Sequence, residues 1–77
     1  MTAAPLGMPA QIRLTVNGEP REVTSGTTLA EVVAQLSAAP SGVAAAVNEA
    51  VVPRSAWSAT TLADADRVEI LTAVQGG

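Results

Sequence analysis

From Gln11 the chain alternates strictly, with Ile12, Leu14 and Val16 apolar between Gln11, Arg13 and Thr15. A period of two is that of a strand buried on one face. Asn17-Gly18 follows at once, a pair that tolerates positive φ and suits the two-residue turn of a hairpin. "EPREVT" over 19–24 then reads as the returning strand, with Pro20 placed where no ladder hydrogen bond is required. At "TTLAEVVAQL" the period lengthens to about 3.6, because Leu29, Val32, Val33 and Leu36 fall at i, i+3, i+4 and i+7 on one helical face. Thr28 and Glu31 supply a capping box at its start. Pro40 closes the helix, since the residue before a proline is steered out of the α region.

Alternation resumes at Val43, Ala45 and Val47, Asn48-Glu49 offers a turn, and Val51-Val52 form a short strand stopped by Pro53. The stretch 54–66 reads as irregular, anchored by Trp57 and Leu62, with the Trp57 ring plugging the core under the loop rather than meeting a ligand. The last strand spans Arg67 to Ala73, with Val68 and Ile70 on one side and Glu69 and Leu71 on the other. Two hairpin-like pairs around one crossover helix predict an α+β domain in which a single mixed sheet packs against that helix. The expected organisation is a flexible extension over 1–10, one folded domain over 11–73 and a free tail over 74–77.

Composition removes most chemistry. The 77 residues contain no Cys or His, and Lys and Tyr are missing too. With no Cys there is no thiolate, so sulfur cannot be carried as a side-chain persulfide. General acid–base work near neutral pH leans on His, and covalent catalysis needs a nucleophile beside a base. The carboxylates Glu19, Glu22, Glu31, Glu49, Asp64, Asp66 and Glu69 sit in polar or turn-like contexts, read as a solvated face rather than a catalytic pair. No catalytic residue is therefore expected, and the chain reads as a non-enzyme with no metal site.

A net charge of −3 with four scattered arginines argues against nucleic acid. No apolar run approaches the roughly 20 residues of a membrane span, and the first ten residues lack the pattern of a secretory signal. The expected location is the cytoplasm, away from membranes.

The ending "TAVQGG" then carries the interest. On a background of roughly 7% glycine, a Gly-Gly ending arises by chance in about one chain in two hundred. Lacking Cβ atoms, Gly76 and Gly77 can thread a groove closed to bulkier residues. The terminal carboxylate is the best remaining reactive group, inert until its oxygen becomes a leaving group, as adenylation by ATP would make it. The groups that handle phosphate and Mg²⁺ would belong to a partner.

Together "VNGEPREV", "GTTLAEVVAQL", "VNEAVVPRSAW" and "LADADRVEILTAVQGG" resemble the sulfur carrier family of bacterial thiamine biosynthesis, over nearly everything from Gln11 to Gly77. The resemblance implies a β-grasp, ubiquitin-like fold with about five strands and one main helix. It implies that the Gly77 carboxylate is adenylated by an E1-like adenylyltransferase that uses ATP and Mg²⁺. The adenylate is then converted to a thiocarboxylate with sulfur from a donor enzyme, and the sulfur passes to thiazole synthase. Gly77 is then the modified residue, Val74, Gln75 and Gly76 form the tail inserted into the partner, and Leu71 and Ala73 are candidate docking contacts. No permanently bound cofactor is implied. The small subunit of molybdopterin synthase, or another ubiquitin-like sulfur donor, is the alternative.

Two positions depart from the family pattern. Asp64-Ala65-Asp66 stands where relatives read Asp-Gly-Asp, which counts against a positive φ there, and Glu49 stands where glycine is common, which weakens the turn signal after Asn48.

Overall fold

The computed structural model of the chain describes residues 10–36 and 42–72. The first alternating segment is β1 (Gln11–Val16) and the second is β2 (Glu19–Thr24), paired antiparallel from Gln11↔Thr24 to Val16↔Glu19. Both turn residues adopt positive φ, 52° at Asn17 and 83° at Gly18. That combination is the type I′ geometry whose twist matches the strands it joins. Pro20 faces Thr15 and β2 is an outer strand of the sheet, so proline's missing N–H is tolerated.

The helix, α1 (Leu29–Leu36), begins as its capping box predicts. The Thr28 N–H donates to Glu31 Oε1 at 2.8 Å, and the Glu31 N–H donates to Thr28 Oγ1 at 3.3 Å. A further donor at the open end, the Leu29 N–H, reaches the Thr60 carbonyl at 2.8 Å. Leu29, Val32 and Val33 are buried, but Leu36, expected on the same face, is 38% exposed. At the last turn of α1 it borders a groove shared with Val16, Ile70 and Thr72. Pro40, expected to close the helix, lies outside the described residues.

Strands β3 (Val43–Val47) and β4 (Ala50–Val52) form the second hairpin, paired Ala45↔Val52, Ala46↔Val51 and Val47↔Ala50. Its turn is again type I′, with φ of 51° at Asn48 and 72° at Glu49, so the absence of glycine did not abolish it. The stretch read as irregular contains a 3₁₀ helix (Arg54–Ala59). The Trp57 indole N–H donates to the Val52 carbonyl at 2.8 Å, and the ring is 7% exposed. Trp57 is thus a core plug with its polar edge satisfied, and Leu62 is buried as expected.

The last strand, β5 (Arg67–Thr72), lies in the centre of the sheet, whose order is β2-β1-β5-β3-β4. It runs parallel to β1 through Thr15↔Arg67 and Val16↔Val68, and antiparallel to β3 over Val43↔Thr72 to Val47↔Val68. The inner faces of β1, β3 and β5, with Leu14, Val16, Ala45, Val68 and Ile70, meet the buried face of α1 and the Trp57 and Leu62 side chains in one core.

The turn that feeds β5 corrects an expectation. Ala65 does adopt a positive φ, 72°. Its N–H donates to the Arg13 carbonyl at 2.7 Å, and the Asp66 N–H reaches the Ala63 carbonyl at 3.1 Å. Flanking carboxylates complete the turn, with Asp64 Oδ1 accepting the Arg13 N–H at 2.8 Å and Asp66 Oδ2 accepting the Ala63 N–H at 2.7 Å. These four bonds hold a conformation that alanine disfavours by about 1–2 kcal/mol. Among the described residues, no helix is long and apolar enough to cross a membrane.

Candidate functional site at the end of the last strand

Side-chain chemistry is sparse throughout the described residues. No ionisable side chain is buried, and no group of three or more His, Cys, Asp or Glu is placed to hold a metal ion. Five of the seven carboxylates expected on a solvated face have identifiable structural contacts. Glu31 caps α1, while Asp64 and Asp66 build the turn before β5. Glu22 lies 3.8 Å from Arg13 and Glu49 lies 3.4 Å from Arg67, both exposed pairs. Pairs of this kind contribute about 0–1 kcal/mol.

The structure instead presents a strand end and an open sheet face. Alternation along β5 sends Val68 and Ile70 into the core and turns Leu71 outward, 69% exposed. Registry places Ala44 opposite Leu71, and places Ala46 between Glu69 on β5 and Val51 on β4. Val51 is 78% exposed. Because β3 contributes only methyl groups at Ala44 and Ala46, the two larger side chains stand on either side of a shallow trough of about 270 Å³. Glu49 and Glu69 also border it, so its floor is apolar and its rim acidic.

Leu71 therefore lies where the sequence placed it, on the face away from α1. Val51 joins it, a residue that sequence reasoning did not single out. Its signal was the exposed position in a short outer strand, but only the registry with Ala46 shows that Val51 and Leu71 share a face. The remaining expected site residues, Ala73, Val74, Gln75, Gly76 and Gly77, lie outside the described residues. The strand that precedes them, β5, is the central one and is described as far as Thr72.

A five-stranded mixed sheet with one packed helix and its final strand in the centre defines the β-grasp, ubiquitin-like class. Within that class, the family model of the ThiS family matches residues 14–77, and the chain belongs to this family, the sulfur carriers of thiamine biosynthesis. The sulfur carrier protein ThiS of Escherichia coli K12 is 27% identical over 66 residues, covering 86% of this chain and all of that protein. A thiazole synthase of Magnetococcus marinus is 36% identical over 66 residues, again 86% of this chain, and the match spans 20% of that protein's length. The crystal structure of the thiamine biosynthesis protein ThiS from Geobacter metallireducens superposes with a TM-score of 0.71 at 36% identity. It covers 86% of this chain and all of that one. These findings favour thiamine over the molybdopterin alternative that the sequence left open.

Proposed function

We propose that this protein carries sulfur as a thiocarboxylate on Gly77. The observation that carries the reading is the family match, which continues through the Gly-Gly to residue 77. A carboxylate oxygen of Gly77 attacks the α-phosphate of ATP and pyrophosphate leaves. A sulfide-level sulfur nucleophile then attacks the acyl carbon of the adenylate, AMP leaves, and the new C–S bond makes the thiocarboxylate. At thiazole synthase the C–S bond breaks, the sulfur goes to the acceptor substrate, and an oxygen from water or from that acceptor takes its place on the Gly77 carbonyl, which restores the carboxylate. ATP, Mg²⁺ and the groups that stabilise charge belong to an E1-like adenylyltransferase, and the sulfur comes from a separate donor enzyme. The carrier is a protein cosubstrate without catalytic residues of its own, and the cycle is cytoplasmic.

Thiazole synthase is supported as the acceptor because a protein of that name contains a segment 36% identical to this chain. Val74, Gln75 and Gly76 are the inserted tail, and the two glycines let the terminus pass a narrow groove. Leu71 and Ala73, with Val51 beside Leu71 across the alanine trough, are the docking contacts. The domain boundaries are those expected from the sequence, 11–73 for the folded unit with 1–10 before it and the tail 74–77 after it, and residues 1–9 and 73–77 lie outside the described residues.

Intact-mass measurement tests the reading. After incubation with ATP, a ThiS-activating adenylyltransferase and a sulfur donor, the expected change is replacement of one oxygen by sulfur, mapped to Gly77. An unchanged mass sinks the proposal, as does full support of thiazole formation by a variant carrying one extra residue after Gly77.

A further inference from the structure

The two type I′ turns share a feature that hairpin chemistry does not require. In each, the leading asparagine directs its side chain at the backbone of β5. Asn48 lies at the start of that strand. Its Oδ1 accepts the Arg67 N–H at 3.0 Å, its Nδ2 donates to Asp66 Oδ1 at 3.0 Å, and its own N–H donates to the Arg67 carbonyl at 2.7 Å. Asn17 lies at the other end, where its Oδ1 accepts the Ile70 N–H at 2.8 Å and its Nδ2 donates to the Ile70 carbonyl at 3.1 Å.

The Asn17 contact falls where the backbone ladder stops. On its β1 side, β5 is held by the Thr15 N–H on the Asp66 carbonyl at 3.1 Å and the Asn17 N–H on the Val68 carbonyl at 2.8 Å. Next on that side are the backbone groups of Ile70, but the β1 chain has already turned away at Asn17-Gly18. The Asn17 carboxamide has the same donor and acceptor as a peptide group, and it supplies the rung the turned backbone cannot. It does so two residues before Thr72, while β3 holds the opposite side of β5 out to Val43↔Thr72.

We propose that Asn17 is a positioning residue for the C-terminal tail. Its carboxamide clamps Ile70 and so keeps the end of β5 in the sheet on the β1 side when the terminus is offered to a partner's active site. The functional part rests on the activated-terminus reading above. Without the clamp, the last residues of β5 are held from one side alone and fray in the free protein. The partner must then order them when it binds, which weakens binding but leaves the chemical step unaltered once the tail is seated.

Asn17→Gly and Asn48→Gly make the test. Glycine accepts the positive φ of both turns, so each variant keeps its hairpin and loses only a carboxamide. Two measurements are read at a temperature where both variants are folded. One is native-state amide exchange at Ile70 against Val32 in α1. The other is steady-state pyrophosphate release with ATP and the adenylyltransferase at varied carrier concentration.

For Asn17→Gly, exchange at Ile70 is expected to accelerate about tenfold more than at Val32. KM for the carrier should rise about tenfold, with kcat within about twofold of wild type. Asn48→Gly loses global stability but keeps the wild-type KM. Should Asn17→Gly not fold, Asn17→Asp retains the turn and the acceptor for the Ile70 N–H, loses the donor, and is expected to raise KM about threefold. The inference is overturned if Ile70 exchange merely follows Val32, or if the Asn17 and Asn48 variants share one KM. Failure of the wild-type protein to be adenylated at all would instead overturn the proposed function, and Ile70 exchange would still decide whether Asn17 fixes the strand end.

Discussion

Ala65 shows how far a single residue can be pushed by its surroundings. A positive φ of 72° is uncommon for alanine, yet the turn before β5 keeps it through its backbone bonds and the two flanking aspartates. Replacing Ala65 with Gly removes the Cβ strain at some cost in chain entropy, so a net gain of about 0.5–1 kcal/mol is expected. For a domain of this size that corresponds to a rise of about 4 °C in Tm. A lower Tm for the Ala65→Gly variant would show that the turn is not strained. Leu71 gives the opposite kind of test, since at 69% exposure it adds little to the fold. Leu71→Asp should shift stability by less than about 0.5 kcal/mol, yet weaken adenylyltransferase binding by about tenfold or more if the trough is the docking surface. Titration calorimetry against the partner checks this, and unchanged affinity would remove Leu71 from the interface.

Among the elements, α1 followed its sequence signals most closely. The 3.6-residue period located it, and the predicted Thr28–Glu31 reciprocity is present. Thr28→Ala is expected to cost about 1 kcal/mol. Because each partner serves the other's backbone, adding Glu31→Ala should cost less than the sum of the separate losses. Strict additivity in that double-mutant cycle would mean the two caps act independently. Leu36 keeps its place beside Val16 and Ile70 but stays 38% exposed, because a helical period states which direction a side chain points and not how fully the opposing surface covers it. The 3₁₀ helix over Arg54–Ala59 was not legible, since a segment so short carries no period to read. What holds it is tertiary: Trp57 buried against the core, with its indole N–H on the Val52 carbonyl.

At the scale of the molecule, Trp57 joins α1, the 3₁₀ helix and the sheet into one core. A chain of 77 residues has roughly 4–12 kcal/mol of stability to lose. Trp57→Ala is expected to remove about 3–5 kcal/mol and leave the domain marginal or unfolded. Circular dichroism and chemical denaturation check this, and a cooperative transition with a wild-type midpoint would show that the ring is not a structural plug. The family match begins at residue 14 and the core draws on residues 12 to 70, so a chain shortened to start at Ala10 should keep the Tm of the full protein. A fall of several degrees would assign the first nine residues a place in the fold.

The sequence by itself determined the local features: both hairpins, the helix with its cap, the inward and outward sides of β5, and a composition poor enough in nucleophiles and bases to direct attention to Gly77. Each of these is encoded by neighbours a few residues apart, in a period or a turn. Only the tertiary structure decided the rest, because it depends on contacts across long stretches of chain. The parallel pairing of Thr15 with Arg67 puts β5 at the centre of the sheet. Registry through β3 brings Val51 and Leu71 onto one face. Asn17, readable in the sequence only as a turn former, meets the backbone of Ile70, 53 residues further along the chain, near the end of β5.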